Sequence, residues 1–269
     1  MKKYKRYSVL ILLVLAACSD DDNSASQEIP EEQEMEEVSE MLTIATSINV
    51  LDIIADQNTQ INIGYDQQNR IALITSNGIE SRTITETTIT YNEAGLITNF
   101  LEEEVEPSPF STEFQFEYNE TGILTLLTSI IDGGTANMLP VSYDAAANSY
   151  TISDGGEQVY VFDPQNNLIS CTAVGIPVLG LVHNASGTGL MAELGTQVAL
   201  GILLGGLNPS TAFGLYYFST LEISTFSFFD NEIQLNTIRD TEGLIIEIEA
   251  LNGGEITSRT TITYETIEL

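Results

Sequence analysis

Apolar and polar positions alternate most cleanly from Thr112 to Tyr118, where Thr112, Phe114, Phe116 and Tyr118 are interleaved with Glu113, Gln115 and Glu117. A side-chain period of two puts the aromatics on one face of a strand and the acids on the other. The alternation returns near the C-terminus. Ile233, Leu235 and Thr237 stand against Gln234 and Asn236, then Leu244, Ile246 and Ile248 against Glu247 and Glu249, and Ile262 shares a face with Tyr264. From Ile123 to Ile131 both faces carry Ile or Leu, which predicts a strand covered on both sides.

Between these runs one phrase recurs: an aromatic, then Asp or Asn, two free positions, then Gly or Asn. It reads Tyr65-Asp66-Gln67-Gln68-Asn69, Tyr91-Asn92-Glu93-Ala94-Gly95, Tyr118-Asn119-Glu120-Thr121-Gly122 and Phe162-Asp163-Pro164-Gln165-Asn166. A looser copy stands at Tyr143-Asp144 and an outlier at Asp240-Thr241-Glu242-Gly243. The intervals from Tyr65 through Tyr91 and Tyr118 to Tyr143 are 26, 27 and 25 residues, so the phrase marks a repeat. Asp or Asn opens a type I turn because its side chain bonds amides further along, and Gly or Asn closes it where φ is positive. A second set of turns alternates with the first at Asn77-Gly78, Pro107-Ser108-Pro109, Asp132-Gly133-Gly134 and Asp154-Gly155-Gly156, with Asn252-Gly253-Gly254 later. The fold class expected is therefore mainly β: one large antiparallel up-and-down meander of hairpin repeats.

Two stretches carry helical spacing instead. Met35, Val38, Leu42 and Ala45 predict a helix from about Glu31 towards Ala55, packed on the sheet, with a strand beginning at Leu42 as the alternative. Leu190, Met191, Leu194, Val198 and Ile202 predict a second, from about Thr188 to Leu204, stopped by Gly205-Gly206 and Pro209. Glu193, Gln197 and several glycines within fewer than ~20 apolar positions argue against a membrane helix. A helix covering the sheet, an apolar loop, and a lid or partner-docking patch remain open for this Gly-rich region.

The domain organisation follows: 1–17 a signal peptide, 18–40 a lipidated acidic tether and 41–269 a single β domain. Within it lie the hairpin repeats (65–169), the apolar insertion (174–217) and the closing strands (218–269). Lys2, Lys3, Lys5 and Arg6 precede a short apolar run from Val9 to Leu15, too short to span a bilayer. Beyond Cys18 the chain has four arginines, no lysine and all 39 acids, hence a net charge of −35. Such a surface repels phosphate backbones and excludes nucleic acid as a partner. Clustered carboxylates leave weak calcium binding open, although no loop has the spacing of a calcium hand. Ten acids and no base from Asp20 to Glu40 keep the tether solvated.

Leu15-Ala16-Ala17-Cys18 resembles the lipobox of bacterial lipoproteins, which implies cleavage before Cys18 and attachment of lipid, palmitate included, at that residue. Ser19-Asp20-Asp21-Asp22 resembles the acidic surface-export signal of Bacteroidota lipoproteins and implies an outer-membrane protein anchored by lipid at the cell surface, against a periplasm-facing alternative. The recurring phrase resembles the Tyr-Asp repeats of the Rhs family. It is closer to Bacteroidota lipoproteins with a short, degenerate set of them, where a less regular segment with an Asn-Pro-Ser phrase, here Asn208-Pro209-Ser210, precedes closing strands with a terminal Tyr, here Tyr264. The repeats are too few for an Rhs shell, and the likeness implies no activity.

Candidate chemistry is sparse. His183 is the only histidine, with no nucleophile motif around it, and reads as structural. With Cys18 lipidated, Cys171 is left without a disulfide partner and reads as a small buried residue. Glu102-Glu103-Glu104 with Glu106 is the richest carboxylate run, and a glycosidase needs only two carboxylates. No catalytic, cofactor or metal residue is assigned; Cys18, for lipidation, is the one site residue. The function expected is a non-catalytic binding, adhesion or scaffold module of the envelope, its partner a protein or a glycan. The alternatives are a glycan-processing enzyme using paired carboxylates and a glycan-binding accessory protein.

Overall fold

The computed structural model describes residues 41–153, 155–190, 197–203 and 219–268. The first strands are β1 (Met41–Asp52), β2 (Gln57–Tyr65), β3 (Ile71–Gly78), β4 (Thr83–Tyr91) and β5 (Ile97–Glu106). They continue as β6 (Phe110–Tyr118), β7 (Leu124–Ile131), β8 (Asn137–Asp144), β9 (Ser149–Ser153), β10 (Glu157–Phe162) and β11 (Leu168–Ala173). After β12 (Ile176–Thr188) comes a short helix, α1 (Val198–Ile202), then β13 (Leu221–Phe228), β14 (Asn231–Arg239), β15 (Ile245–Asn252) and β16 (Glu255–Glu268). Each strand pairs antiparallel with its sequence neighbours, and β1 pairs with β16, so the meander closes into a barrel. Closure removes the two free edges that an open meander would expose.

Every copy of the turn phrase lies at one end of this barrel, the tyrosine end, and all but the looser copy at Tyr143-Asp144 build the same loop. Asp66 Oδ1 accepts the amides of Gln68 and Arg70, each at 2.9 Å, and Asn92, Asn119, Asp163 and Asp240 repeat the pair of bonds at their own turns. The fourth position has positive φ in all five: Asn69 at 59°, Gly95 at 78°, Gly122 at 79°, Asn166 at 65° and Gly243 at 89°. The outlier at Asp240 is thus a full member, with Arg239 in place of the aromatic.

The aromatic does a second job. Tyr91 Oη donates to the carbonyl of Ile71 at 2.7 Å, Tyr118 Oη to Ile97 at 2.7 Å and Tyr264 Oη to Ile245 at 2.8 Å. In each case the acceptor opens the strand that follows the previous turn. Tyr65 makes the matching bond to Ala45 at 2.6 Å, whereas Tyr143 bonds Asn148 within its own turn. At these four tyrosines the repeat therefore latches one hairpin to its predecessor.

Period-two alternation turns most large apolar side chains inward and most charged ones outward, with Leu73, Ile169, Val182, Ile238 and Ile246 exposed on the outer wall. Ile48, Ile89, Ile97, Phe100, Phe114, Phe116, Leu127, Ile152, Tyr160 and Ile248 are buried in one core. Ile97, Leu127, Ile152 and Tyr160 have no exposure at all, so the lumen at their level is filled with side chains, not water.

Two expectations are corrected. The predicted N-terminal helix is strand β1 from Met41 to Asp52, the part before it lying outside the described residues. Thr43, Ile44, Thr46, Ile48 and Val50 make this stretch β-branched, and pairing with β16 on one side and β2 on the other outweighs the spacing of Leu42 and Ala45. The predicted helix from Thr188 to Leu204 is only Val198–Ile202 among the described residues. Its start, Thr188, is paired with Leu221 in the wall, and residues 176–188 of the expected insertion are strand β12.

Candidate functional site

The connection from β12 to β13 begins and ends at the tyrosine end, and its described parts reach into that mouth. Ala199, Ile202 and Leu203 are buried in the barrel core. A Cβ on Gly201 would come within 2.8 Å of the Phe162 ring, so glycine is what lets α1 lie against the inner wall. Three sets of bonds tie the connection and the strand ends beside it to the rim. Gln197 Nε2 donates to the Gly95 carbonyl at 3.1 Å, in the β4–β5 turn. Thr220 Oγ1 bonds Asn167 Oδ1 at 2.6 Å, and Asn167, almost fully buried, bonds Asp163 Oδ2 at 2.9 Å. Arg239 donates to the Thr188 carbonyl at 2.6 Å and the Gly243 carbonyl at 2.7 Å and pairs with Glu222. These points lie in three different hairpins, so the described parts of the connection and the strand ends beside it are tied to the rim at three places.

The chemical candidates do not converge. Strand β12 places His183 at the same end, half-buried; burial lowers its pKa and the carboxylate of Asp163 opposes that shift more weakly. That carboxylate is already engaged by the amides of Gln165 and Asn167 and the side chain of Asn167, which makes it a turn-former. Cys171 faces inward opposite Tyr160 and is 1% exposed; burial pushes its thiol up to about 11, with Tyr160 pulling weakly the other way. A thiol so placed is protonated at neutral pH and is no nucleophile. Cys18 lies outside the described residues.

The glutamate run is split by the strand period. Glu102 pairs with Thr87 and Thr112, in line with inward Phe100 and Phe114, while Glu103 turns outward. At the barrel's opposite end Glu103, Glu104 and Asp132 join Val105, Pro109, Phe110 and Ser111 around an open recess of about 370 Å³. Among the described residues no three His, Cys, Asp or Glu side chains are grouped to hold a metal ion.

Sequence reasoning missed the strapping residues Gln197, Thr220 and Arg239. The signal for Arg239 was the one turn phrase that lacked an aromatic.

No protein-family model matches the chain, and no curated protein matches it. Among solved structures, the chain is similar to a porin-like protein from Bacteroides uniformis ATCC 8492, with 12% identity, a TM-score of 0.35 and coverage of 82% of this chain and 98% of that one. A porin-like protein from Bacteroides vulgatus ATCC 8482 gives 12% identity, a TM-score of 0.40 and coverage of 83% and 99%. Likeness of this degree transfers neither function nor location.

Proposed function

We propose that the protein is an outer-membrane lipoprotein, held by lipid on Cys18 at the cell surface, whose barrel stands in water as a non-catalytic binding or scaffold module. The observation that carries this reading is the outer face of the wall. A barrel that crosses a bilayer needs an outward apolar band ~25 Å tall and a polar interior. Here Glu86, Glu113, Gln115, Gln234, Asn236, Glu249 and Arg259 stand on the outside, interspersed with exposed Leu73, Ile169, Val182, Ile238 and Ile246, and the buried apolar core is within. An arginine on a lipid-facing wall costs about 2–4 kcal/mol at the midplane, so this surface favours water. Anchoring then falls to lipid on Cys18, as the lipobox resemblance implies.

The reading as a binding module is supported by where the carboxylates sit. Asp163 and Asp240 hold turns, Glu222 holds Arg239, and Glu249 accepts Asn236 and Arg259. The recess beside Phe110 favours a second reading, glycan handling, because it combines an exposed ring with Glu103, Glu104 and Asp132.

One set of experiments separates these. Palmitate labelling should be lost in Cys18→Ser, and the purified lipoprotein should release no new reducing ends from envelope polysaccharides. Release that Glu104→Gln abolishes would replace the binding module with the enzyme.

A further inference from the structure

The two ends of the barrel differ in what their turns present to solvent. At the tyrosine end the tips are polar: Gln67-Gln68, Glu93-Ala94, Glu120-Thr121, Pro164-Gln165 and Thr241-Glu242. At the opposite end six of the eight hairpins carry exposed large apolar side chains, among them Ile54 at 77%, Val174 at 72% and Phe229 at 55%. Isolated exposed apolar residues are ordinary, but a cluster is not.

Four of these residues, Val174, Ile176, Phe228 and Phe229, lie on the neighbouring β11–β12 and β13–β14 hairpins. β12 and β13 are paired, and the Phe229 amide bonds the Val178 carbonyl at 2.8 Å. The Phe228 and Phe229 rings stack edge to face with centroids 4.8 Å apart, and Ile176 is 60% exposed beside Val174. Val174 and Phe229 also both have positive φ, 52° and 51°. Glycine or asparagine takes that conformation cheaply, a β-branched or bulky side chain does not. Each residue thus costs stability twice, by backbone strain and by exposure.

Charge selects the occupant. Glu157, Asp230 and Glu232 flank the cluster. The four arginines of the mature chain lie elsewhere: Arg70 on Asp66, Arg239 on Glu222, Arg259 on Glu247 and Glu249, and Arg82 in the β3–β4 turn. An acidic rim repels a second copy of itself, the acidic residues 20–40 and an anionic lipid surface.

Resting on the binding-module reading above and giving it a surface, we infer that the Val174, Ile176, Phe228 and Phe229 cluster docks a partner protein presenting an apolar recess ringed by lysine and arginine. The turn tips fill the recess and the carboxylates pair with the ring. Binding is therefore salt-sensitive.

The test places a photo-crosslinking amino acid at Ile176 or Phe228 in the full-length lipoprotein in its own cells, with Glu93 at the other end as control. Crosslinks from the cluster, and not from Glu93, should reach one protein through a peptide rich in Lys and Arg. That protein, purified, should bind the mature domain with a Kd that rises at least about tenfold in the charge variant E157Q/D230N/E232Q. The variant V174N/F229N should lose binding while its urea midpoint rises, because asparagine relieves both strained positions. Crosslinks to a second copy or to lipid alone, or binding unchanged in either variant, would overturn the inference. Crosslinks that form only from Glu93 would overturn this surface yet leave the binding module standing; glycan cleavage would remove the module itself.

Discussion

Replacing Tyr118 by Phe removes one latch and nothing else, because the ring keeps its packing while the hydroxyl that donates to Ile97 at 2.7 Å is lost. Ile97 is fully buried, so water cannot readily replace the donor. A net hydrogen bond is worth about 1 kcal/mol, and a buried acceptor left with less than its due raises the expected loss to about 1–2 kcal/mol. For a domain of this size that lowers Tm by roughly 2–8 °C. Tyr65, Tyr91 and Tyr264 make the same bond to Ala45, Ile71 and Ile245, and successive latches are two strands, or about 10 Å, apart. Their effects should therefore add to within a few tenths, and the fourfold Phe variant should lose about 4–8 kcal/mol, a large part of a typical domain's stability. Tyr143→Phe is the internal control. Its hydroxyl bonds Asn148 in its own turn, and Asn148 keeps its bonds to Phe162 and Asp163, so about 0.5 kcal/mol is expected. Urea unfolding of the mature domain followed by far-ultraviolet circular dichroism measures each loss, with the slope m unchanged. Single variants within ~0.3 kcal/mol of the parent would refute the latch as a fastening between repeats.

The remaining predictions test other parts of the same account. Burial raises the phenol pKa of Tyr91 and Tyr264 to about 12 and those of Tyr65, Tyr118 and Tyr160 further. Below pH ~10 all are protonated in both states and the fold keeps its stability; above it the unfolded chain ionises first, and each tyrosine removes about 1.4 kcal/mol per pH unit. Phenolate absorbance and loss of β signal should therefore rise together between pH 10 and 12, and ionisation of a still-folded barrel near pH 10 would contradict the buried latches. Cys171 should resist a thiol reagent in the native state and react at once in urea; rapid native reaction would mean an open lumen. Gly122→Ala forces a side chain to φ 79° and should cost about 1–2 kcal/mol in the same urea assay, with Gly122→Asn costing less.

Much of this barrel is written in local chemistry. Asp66, Asn92, Asn119 and Asp163 dictate their turns by bonding amides two and four residues on, a short-range rule that survives in any context. The alternation at Thr112 to Tyr118 likewise fixes which face of β6 is buried. Closure was not legible, because the pairing of Ile48 with Ile262 joins residues from opposite ends of the described chain and leaves no local mark. The helix expected over β1 failed for a related reason: the spacing of Leu42 and Ala45 is compatible with a helix, and only the partners on both sides decide for a strand. At the site, His183, Cys171 and the glutamate run were recognisable as residues, whereas the attachments of Gln197 to Gly95 and of Thr220 to Asn167 span 102 and 53 positions. Exposure of Val174 and Phe229 was hidden because their strain exists only once the two hairpins are closed.

The central claim is that the wall faces water and that lipid on Cys18 alone holds the protein to the membrane. Phase separation in a clouding detergent tests it directly, comparing the native lipoprotein with a Cys18→Ser form exported by a conventional cleaved leader. The account predicts that the native protein enters the detergent phase and the variant, folded and monomeric, stays in the aqueous phase. A folded variant that still entered the detergent phase would contradict it, because the barrel wall itself would then be the membrane-binding surface.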